Sequence, residues 1–205
     1  MEFLEEMAKL FDFIGRLVCH QRPERTLWIG GQYLPVCARD TGAFLGLLLG
    51  YSLSLFLRRK EARGTPNLIL TLMMLVPMLV DSFGQMFGFW TSTNDVRLVT
   101  GLLFGVALAP FLVYAISLAP FSSKIPVAKA MLVKNADVDD RHACLGVREL
   151  GVGILLSGVL FICIKLIASS EFSLFYWVLS IPLIAVIISH LFVLPSLLLV
   201  AILRK

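Results

Sequence analysis

Charge is what this sequence has little of. Only 16% of its 205 residues are Asp, Glu, Lys or Arg, while 58% are hydrophobic, and a soluble domain of this length cannot hide that much apolar surface. The composition excludes a free-standing soluble enzyme and identifies an integral membrane protein. A second absence is the signature of a signal peptide in the opening stretch, which is therefore not expected to be one. The opening stretch MEFLEEMAKLFDFIGRLV lacks the basic n-region and the small-residue cleavage site of a signal peptide. A third is any long polar stretch that would make a soluble domain outside the apolar runs. The net charge of +4 does not call for nucleic acid, because the basic residues cluster in loops beside apolar runs, as they do where they orient a chain in a bilayer.

A bilayer-spanning helix needs about 20 mainly apolar residues. Five stretches meet that requirement, at roughly 41–57, 67–90, 98–119, 151–169 and 172–203. Before them, Phe3, Met7, Leu10, Phe11, Ile14, Leu17 and Val18 recur at helical spacing between Glu2, Glu5, Glu6, Lys9 and Arg16, which predicts an amphipathic helix lying on the membrane. The expected fold is all-α: a polytopic bundle of about five transmembrane helices with an N-terminal amphipathic helix and an external Cys-His loop. The expected organisation is helix and loop at 1–40, a three-helix core at 41–119, a cytoplasmic loop at 120–150 and two further spans at 151–205.

The loops differ sharply in positive charge. Arg58, Arg59, Lys60 and Arg63 occupy the first, and Lys124, Lys129, Lys134, Arg141 and Arg148 the third; the second has only Arg97, and the fourth has none. With Arg204 and Lys205 in the tail, this bias predicts a cell-membrane protein with the first and third loops and the C-terminus in the cytoplasm. Five spans then put the N-terminus outside. Lys9, Arg16, Arg22, Arg25 and Arg39 would sit on the side where basic residues are disfavoured, held there by neighbouring carboxylates and headgroups or by an anion that suits a planar guanidinium fork.

Small residues are spaced for close helix contact: Gly42, Gly46 and Gly50 in the first span, Gly84 and Gly88 in the second, Gly101, Gly105 and Ala109 in the third. They predict tight packing of these three spans and leave oligomerisation through GxxxG faces open.

Of four cysteines and three histidines in the chain, Cys19, His20 and Cys37 fall just before the first span. Polar residues within or beside spans are costly and warrant a functional hypothesis, and several are directed to the same outer end: Arg22, Arg25, Arg39 and Asp40, then Asp81 and Gln85 four residues apart, then Asn94 and Arg97. Asp81 precedes Trp90 by nine residues, roughly 13 Å along a helix, which places it in the outer half.

In order along the chain, Cys19, His20, Gln21, Pro23 and Arg25, then Cys37 and Arg39, then Asp81 and Gln85, then Asn94, Arg97, Thr100 and Gly101 resemble a family of small integral membrane proteins classed as domain of unknown function 2085. The resemblance runs over roughly residues 14–115, with Thr26 where Ser is common and Ser82 where Gly is common. It implies a membrane location and a shared polar site, and it supplies no reaction.

Three kinds of chemistry suit the outer cluster. Two thiolates and an imidazole are ligands zinc favours, which makes Cys19, His20 and Cys37 a candidate metal set with Asp81 as fourth ligand or as base. A disulfide between Cys19 and Cys37 would close the loop and stabilise it by about 3 kcal/mol on chain-entropy grounds, but leaves His20 unexplained. A cysteine nucleophile with His20 as base is the third. The expectation adopted is a membrane metalloenzyme of hydrolase or transferase type, zinc-dependent, acting at the outer leaflet on a lipid or prenyl substrate with an anionic head. In it Asp81 and Gln85 are catalytic, and Arg22, Arg25, Arg39, Asn94 and Arg97 bind substrate. A transporter or channel-like protein with a polar path at Asp81 and Gln85, and a non-catalytic subunit with structural zinc or a disulfide, are the alternatives. Membrane lipids and an anionic lipid-like small molecule are the implied partners. Elsewhere, Asp137, Asp139, Asp140, His142 and Cys144 lack the glycine and terminal glutamate of a calcium loop and are expected to be a solvated charge run. His190 is expected to be a core histidine, and Lys165 to snorkel.

Overall fold

A computed structural model describes residues 2–57, 66–118, 145–170 and 172–203. Helix α1 (Glu2–Arg16) leads through a short 3-10 turn (Pro23–Arg25) into strands β1 (Thr26–Ile29) and β2 (Gln32–Cys37). Five long helices follow: α2 (Ala38–Phe56), α3 (Leu68–Met86), α4 (Asn94–Leu118), α5 (Val147–Ala168) and α6 (Leu174–Leu203). The expected helical bundle is present. The acidic and metal-capable residues at 137–144, and the basic residues of the first loop, lie outside the described residues.

Helices α3, α4, α5 and α6 are each long and apolar enough to cross a membrane. The 19-residue α2 opens on Arg39 and Asp40, which lowers its mean hydropathy. It makes its membrane place by burying its small-residue face against α4. A Cβ on Gly42 would lie 2.3 Å from the Leu98 carbonyl oxygen, one on Gly46 2.4 Å from that of Leu102, and one on Gly105 2.1 Å from that of Ala43. The predicted glycine faces are therefore consumed inside the chain, where backbones approach closely enough to exclude any side chain.

The pair Gly84 and Gly88 behaves differently from expectation. Helix α3 stops at Met86, not near residue 90, because Gly88 takes φ +74°. Phe89 N–H then reaches back to the Gly84 carbonyl at 2.8 Å and Gly88 N–H to Gln85 at 3.3 Å, the hydrogen-bond pattern of a Schellman cap. Gly88 thus ends a helix, and Gly84 makes room for the Trp90 ring.

The segment between α1 and α2 is not a plain loop. Gly30 and Gly31, with φ +58° and +86°, supply the two positive-φ positions a tight hairpin turn requires. They join β1 and β2 with Trp28 opposite Tyr33 and Ile29 opposite Gln32. Alternation does the rest. Leu27, Ile29, Leu34 and Val36 are buried, whereas Trp28 and Tyr33 face outward and meet edge to face at 4.6 Å. The glycine pair between two β-rich runs was the signal for this hairpin.

Helix α1 packs through Phe11, which is buried against Trp177 of α6 at 5.7 Å, with Met7 and Ile14 beside it. Its opposite face leaves Phe3, Leu10, Phe13 and Leu17 exposed, an apolar surface suited to a bilayer interface. Together α1 and the hairpin cap the end of the bundle where α2, α4 and α6 begin and where α3 and α5 finish.

Near mid-chain depth, His190 behaves as expected of a core histidine. Its Nδ1 lies 2.7 Å from the Val186 carbonyl oxygen, and Tyr51 Oη is 2.8 Å from Nε2. One tautomer satisfies both contacts: Nδ1–H donates to the carbonyl and Nε2 accepts from the tyrosine. Lys165 does not simply snorkel; it pairs with Asp95 of α4 at 2.8 Å.

Candidate metal and anion site

The segment from Cys19 to Thr26 is shaped by backbone needs. Cys19 N–H caps the end of α1 by donating to the Gly15 carbonyl at 2.9 Å. Gln21 takes φ +48°, a left-handed conformation that non-glycine residues adopt only when their surroundings hold them there. What holds it is its own amide, which donates to the carbonyls of Asp12 at 2.8 Å and Pro35 at 2.6 Å and so ties α1 to β2. Pro23 starts the 3-10 turn, where its missing N–H costs nothing. Thr26 closes the segment through its hydroxyl on the Arg22 carbonyl at 2.8 Å.

This fold brings Cys19 to Cys37. Cys37 is the N-cap of α2, its backbone N–H points at Cys19 Sγ at 3.3 Å, and its own Sγ lies 3.2 Å from Asp40 Oδ2. Cys19, Cys37 and Asp40 each direct one ligand atom to a common point, all within 4.8 Å of one another. Around zinc, with metal–sulfur bonds near 2.3 Å, tetrahedral ligand atoms stand about 3.8 Å apart, so only a small adjustment separates this group from a coordination shell. The two thiols are unequal. Cys19 is held below the ordinary thiol range, chiefly by the hydrogen bond from the Cys37 thiol against the opposing effect of burial. Cys37 is pushed well above it, because its proton is shared with Cys19, because it is buried and because the Asp40 carboxylate is close.

The cluster opens on a cavity of about 330 Å³ whose wall includes His20, Arg22, Arg25 and Arg39 as well as Cys19, Cys37 and Asp40. His20 is exposed on that wall and is not one of the three clustered ligands. Asp40 stands third in this cluster, where residue type had pointed to histidine. Its sequence signal was Cys37-x-x-Asp40 at the start of a helix, an N-cap and N3 pair whose side chains turn toward each other.

Asp81 and Gln85 do share a face of α3, but each meets an arginine. Asp81, 5% exposed, forms an ion pair with Arg39 of α2. Gln85, with its carbonyl oxygen turned toward the donors, accepts from Arg97 Nη2 and from Ser92 N–H, both at 2.8 Å. Arg97, 7% exposed, also donates through Nη1 to Asn94 Oδ1 at 2.8 Å. Asp81 and Gln85, expected to act at a metal, are thus spent on arginines; of the two, Arg39 lines the cavity and Arg97 does not.

The fold and site define a polytopic helical membrane protein with a cysteine- and arginine-lined polar site at one end of its bundle. Residues 19–111 match the family described as predicted membrane protein (DUF2085). An uncharacterized protein of Methanothermobacter thermautotrophicus is 37% identical over 94 residues, 46% of this chain and 83% of that protein. An uncharacterized protein of Methanocaldococcus jannaschii is 33% identical over 110 residues, 50% of this chain and 70% of its own length. The chain belongs to this family, and the matched region holds every residue of the site. No solved structure matches it.

Proposed function

We propose that this protein is a membrane-embedded metalloenzyme, zinc-dependent and of hydrolase or transferase type, acting at the outer leaflet on a lipid or prenyl substrate with an anionic head. The observation that carries the reading is the convergence of Cys19, Cys37 and Asp40 ligand atoms within 4.8 Å on a cavity walled by Arg22, Arg25 and Arg39. Cys19, Cys37 and Asp40 would hold the metal, with His20 on the cavity wall as the further ligand. A bound zinc supplies Lewis-acid polarisation and activation of water. The arginines hold the head group, and Asp81 fixes Arg39 in position. The N-terminus is outside and the C-terminus is in the cytoplasm.

A transport path finds less support. The buried hydroxyls of Ser54, Thr71 and Ser157 are each spent on a carbonyl one turn back in their own helix, so no polar chain continues from the site among these residues. A second reading joins Cys19 and Cys37, free thiols whose sulfurs lie within 4.8 Å of each other, as a disulfide.

Elemental analysis of purified protein with thiol counting separates these readings. The metal site requires about one zinc per chain and thiols that resist alkylation until a chelator is added, with zinc content lowered in Cys37→Ser and Asp40→Ala. Thiols that appear only after reduction, with no stoichiometric metal, would overturn it in favour of the disulfide.

A further inference from the structure

Beneath the cavity, positive charge is in surplus. Arg25 and Arg39 line the cavity, and Arg97, outside that lining, is held on Gln85 one turn of α3 from Asp81, within electrostatic reach of both arginines, so three guanidiniums lie around one buried carboxylate, Asp81, which is already paired with Arg39. Like charges repel, and holding them together in a poorly solvated place is unfavourable unless an anion is available to them. The donors are also incompletely used. Arg39 Nε and Arg97 Nε are buried and have no partner, and a buried, unpaired N–H costs free energy comparable to a lost hydrogen bond.

The supporting groups orient the guanidiniums without neutralising them. Gln85 and Asn94 are neutral acceptors that fix two of the Arg97 nitrogens, while Asp81 fixes one nitrogen of Arg39. Adding the cavity-wall residues Arg22 and Asp40 leaves guanidiniums outnumbering carboxylates two to one. If Asp40 and the two cysteines are occupied with a divalent metal, that surplus remains.

We infer that Arg25, Arg39 and Arg97 form a site for a dianionic phosphoryl group, a phosphomonoester or diphosphate, in preference to a singly charged head such as a carboxylate or phosphodiester. The inference rests on the anionic-head reading above and names its chemical class. A phosphoryl group presents several acceptor oxygens and roughly two negative charges near neutral pH, which matches several guanidinium forks converging from the 3-10 turn, α2 and α4.

The test titrates inorganic phosphate, pyrophosphate and acetate into the metal-stripped full chain in detergent and reads binding by calorimetry. Phosphate or pyrophosphate should bind at least about tenfold more tightly than acetate. Arg97→Gln should weaken that binding about tenfold. Because Arg97 is buried and its replacement can disturb folding, Arg25→Gln on the cavity wall is measured beside it and should show the same direction. The Cys19→Ser/Cys37→Ser variant should keep phosphate binding, which makes the result independent of whether a metal binds. Equal binding of acetate and phosphate, phosphate binding unchanged in Arg25→Gln, or loss of binding in the cysteine variant would each overturn the inference. Competition by nanodiscs containing phosphatidic acid, and not by those containing only phosphatidylglycerol, assigns the phosphoryl group to a lipid; persistence of phosphate binding against both assigns it to a soluble compound.

Discussion

Arg39, in the first turn of α2, donates to the carboxylate of Asp81 on α3, joining residues 42 positions apart in the chain. Helix α3 buries little else: Thr71, Met74 and Gly84 are its other buried residues. Most of its surface is apolar and faces outward, so the ion pair is its principal polar attachment to α2. Removing one member of a buried pair leaves the other charge uncompensated. Asp81→Ala should therefore lower stability by about 3 kcal/mol, read as a shift in reversible unfolding in mixed detergent micelles. The double replacement Arg39→Met/Asp81→Leu should recover part of that loss. An Asp81→Ala variant as stable as the parent would show that the Arg39 pair does not anchor α3.

The α2–α4 contact predicts a contrast between glycines. Gly105→Ala places a methyl 2.1 Å from the Ala43 carbonyl oxygen and should cost about 1–3 kcal/mol through forced separation of the helices. Gly151→Ala in α5 meets nothing within 4 Å and should be neutral or stabilising by up to about 1 kcal/mol, since alanine is the better helix former. The same unfolding assay compares both, and equal effects would contradict the close approach.

Unequal thiols predict unequal alkylation in metal-free protein. Thiolate is the reactive form, and its fraction rises with pH. With its pKa lowered by the Cys37 hydrogen bond, Cys19 should react with iodoacetamide at a pH below that of an ordinary thiol near 8.5. Cys37, with its pKa raised, should remain largely unlabelled over that range. Cys37→Ala should move the Cys19 profile back toward higher pH. Mass spectrometry of labelled peptides reports each site, and identical profiles for the two would contradict the unequal environments of the thiols.

Orientation is checked with reporters. An alkaline phosphatase fusion at the N-terminus should be active and a fusion at the C-terminus inactive, as the positive charge of Arg58, Arg59, Lys60 and Arg63 and of the third loop predicts on the positive-inside rule. The reverse pattern would move the Cys19–Cys37 site to the reducing side of the membrane and remove the case for a disulfide.

Much of the architecture was legible in the amino-acid order. Apolar run length marked the helices to within a few residues, and the glycine spacing in α2 and α4 marked their contact. The misplaced end of α3 came from treating Gly88 as a packing residue when its positive φ makes it a cap. Gly30-Gly31 stands between two β-rich runs, but short strands carry a weak periodic signal beside long helices, so the hairpin reads as a loop in the sequence. Residue type, and no standard metal-binding spacing, points to the gathering of Cys19 and Cys37, and the sequence places Asp40 at the same end without a ligand role.

By itself, the sequence determined that this protein is a helical membrane protein with polar chemistry at one end, because hydropathy and charge bias are sums over local stretches and need no knowledge of contacts. Which polar groups meet was decided by the tertiary structure. Whether Asp81 faced the cysteines or Arg39 depended on the rotation of α3 about its axis and on its register against α2. Whether His20 or Asp40 joined the thiols depended on the left-handed turn at Gln21 and on the hairpin that returns Cys37 to Cys19. Those are relations between segments far apart in the chain, set by packing and by the satisfaction of buried polar groups, and residue order carries no local record of them.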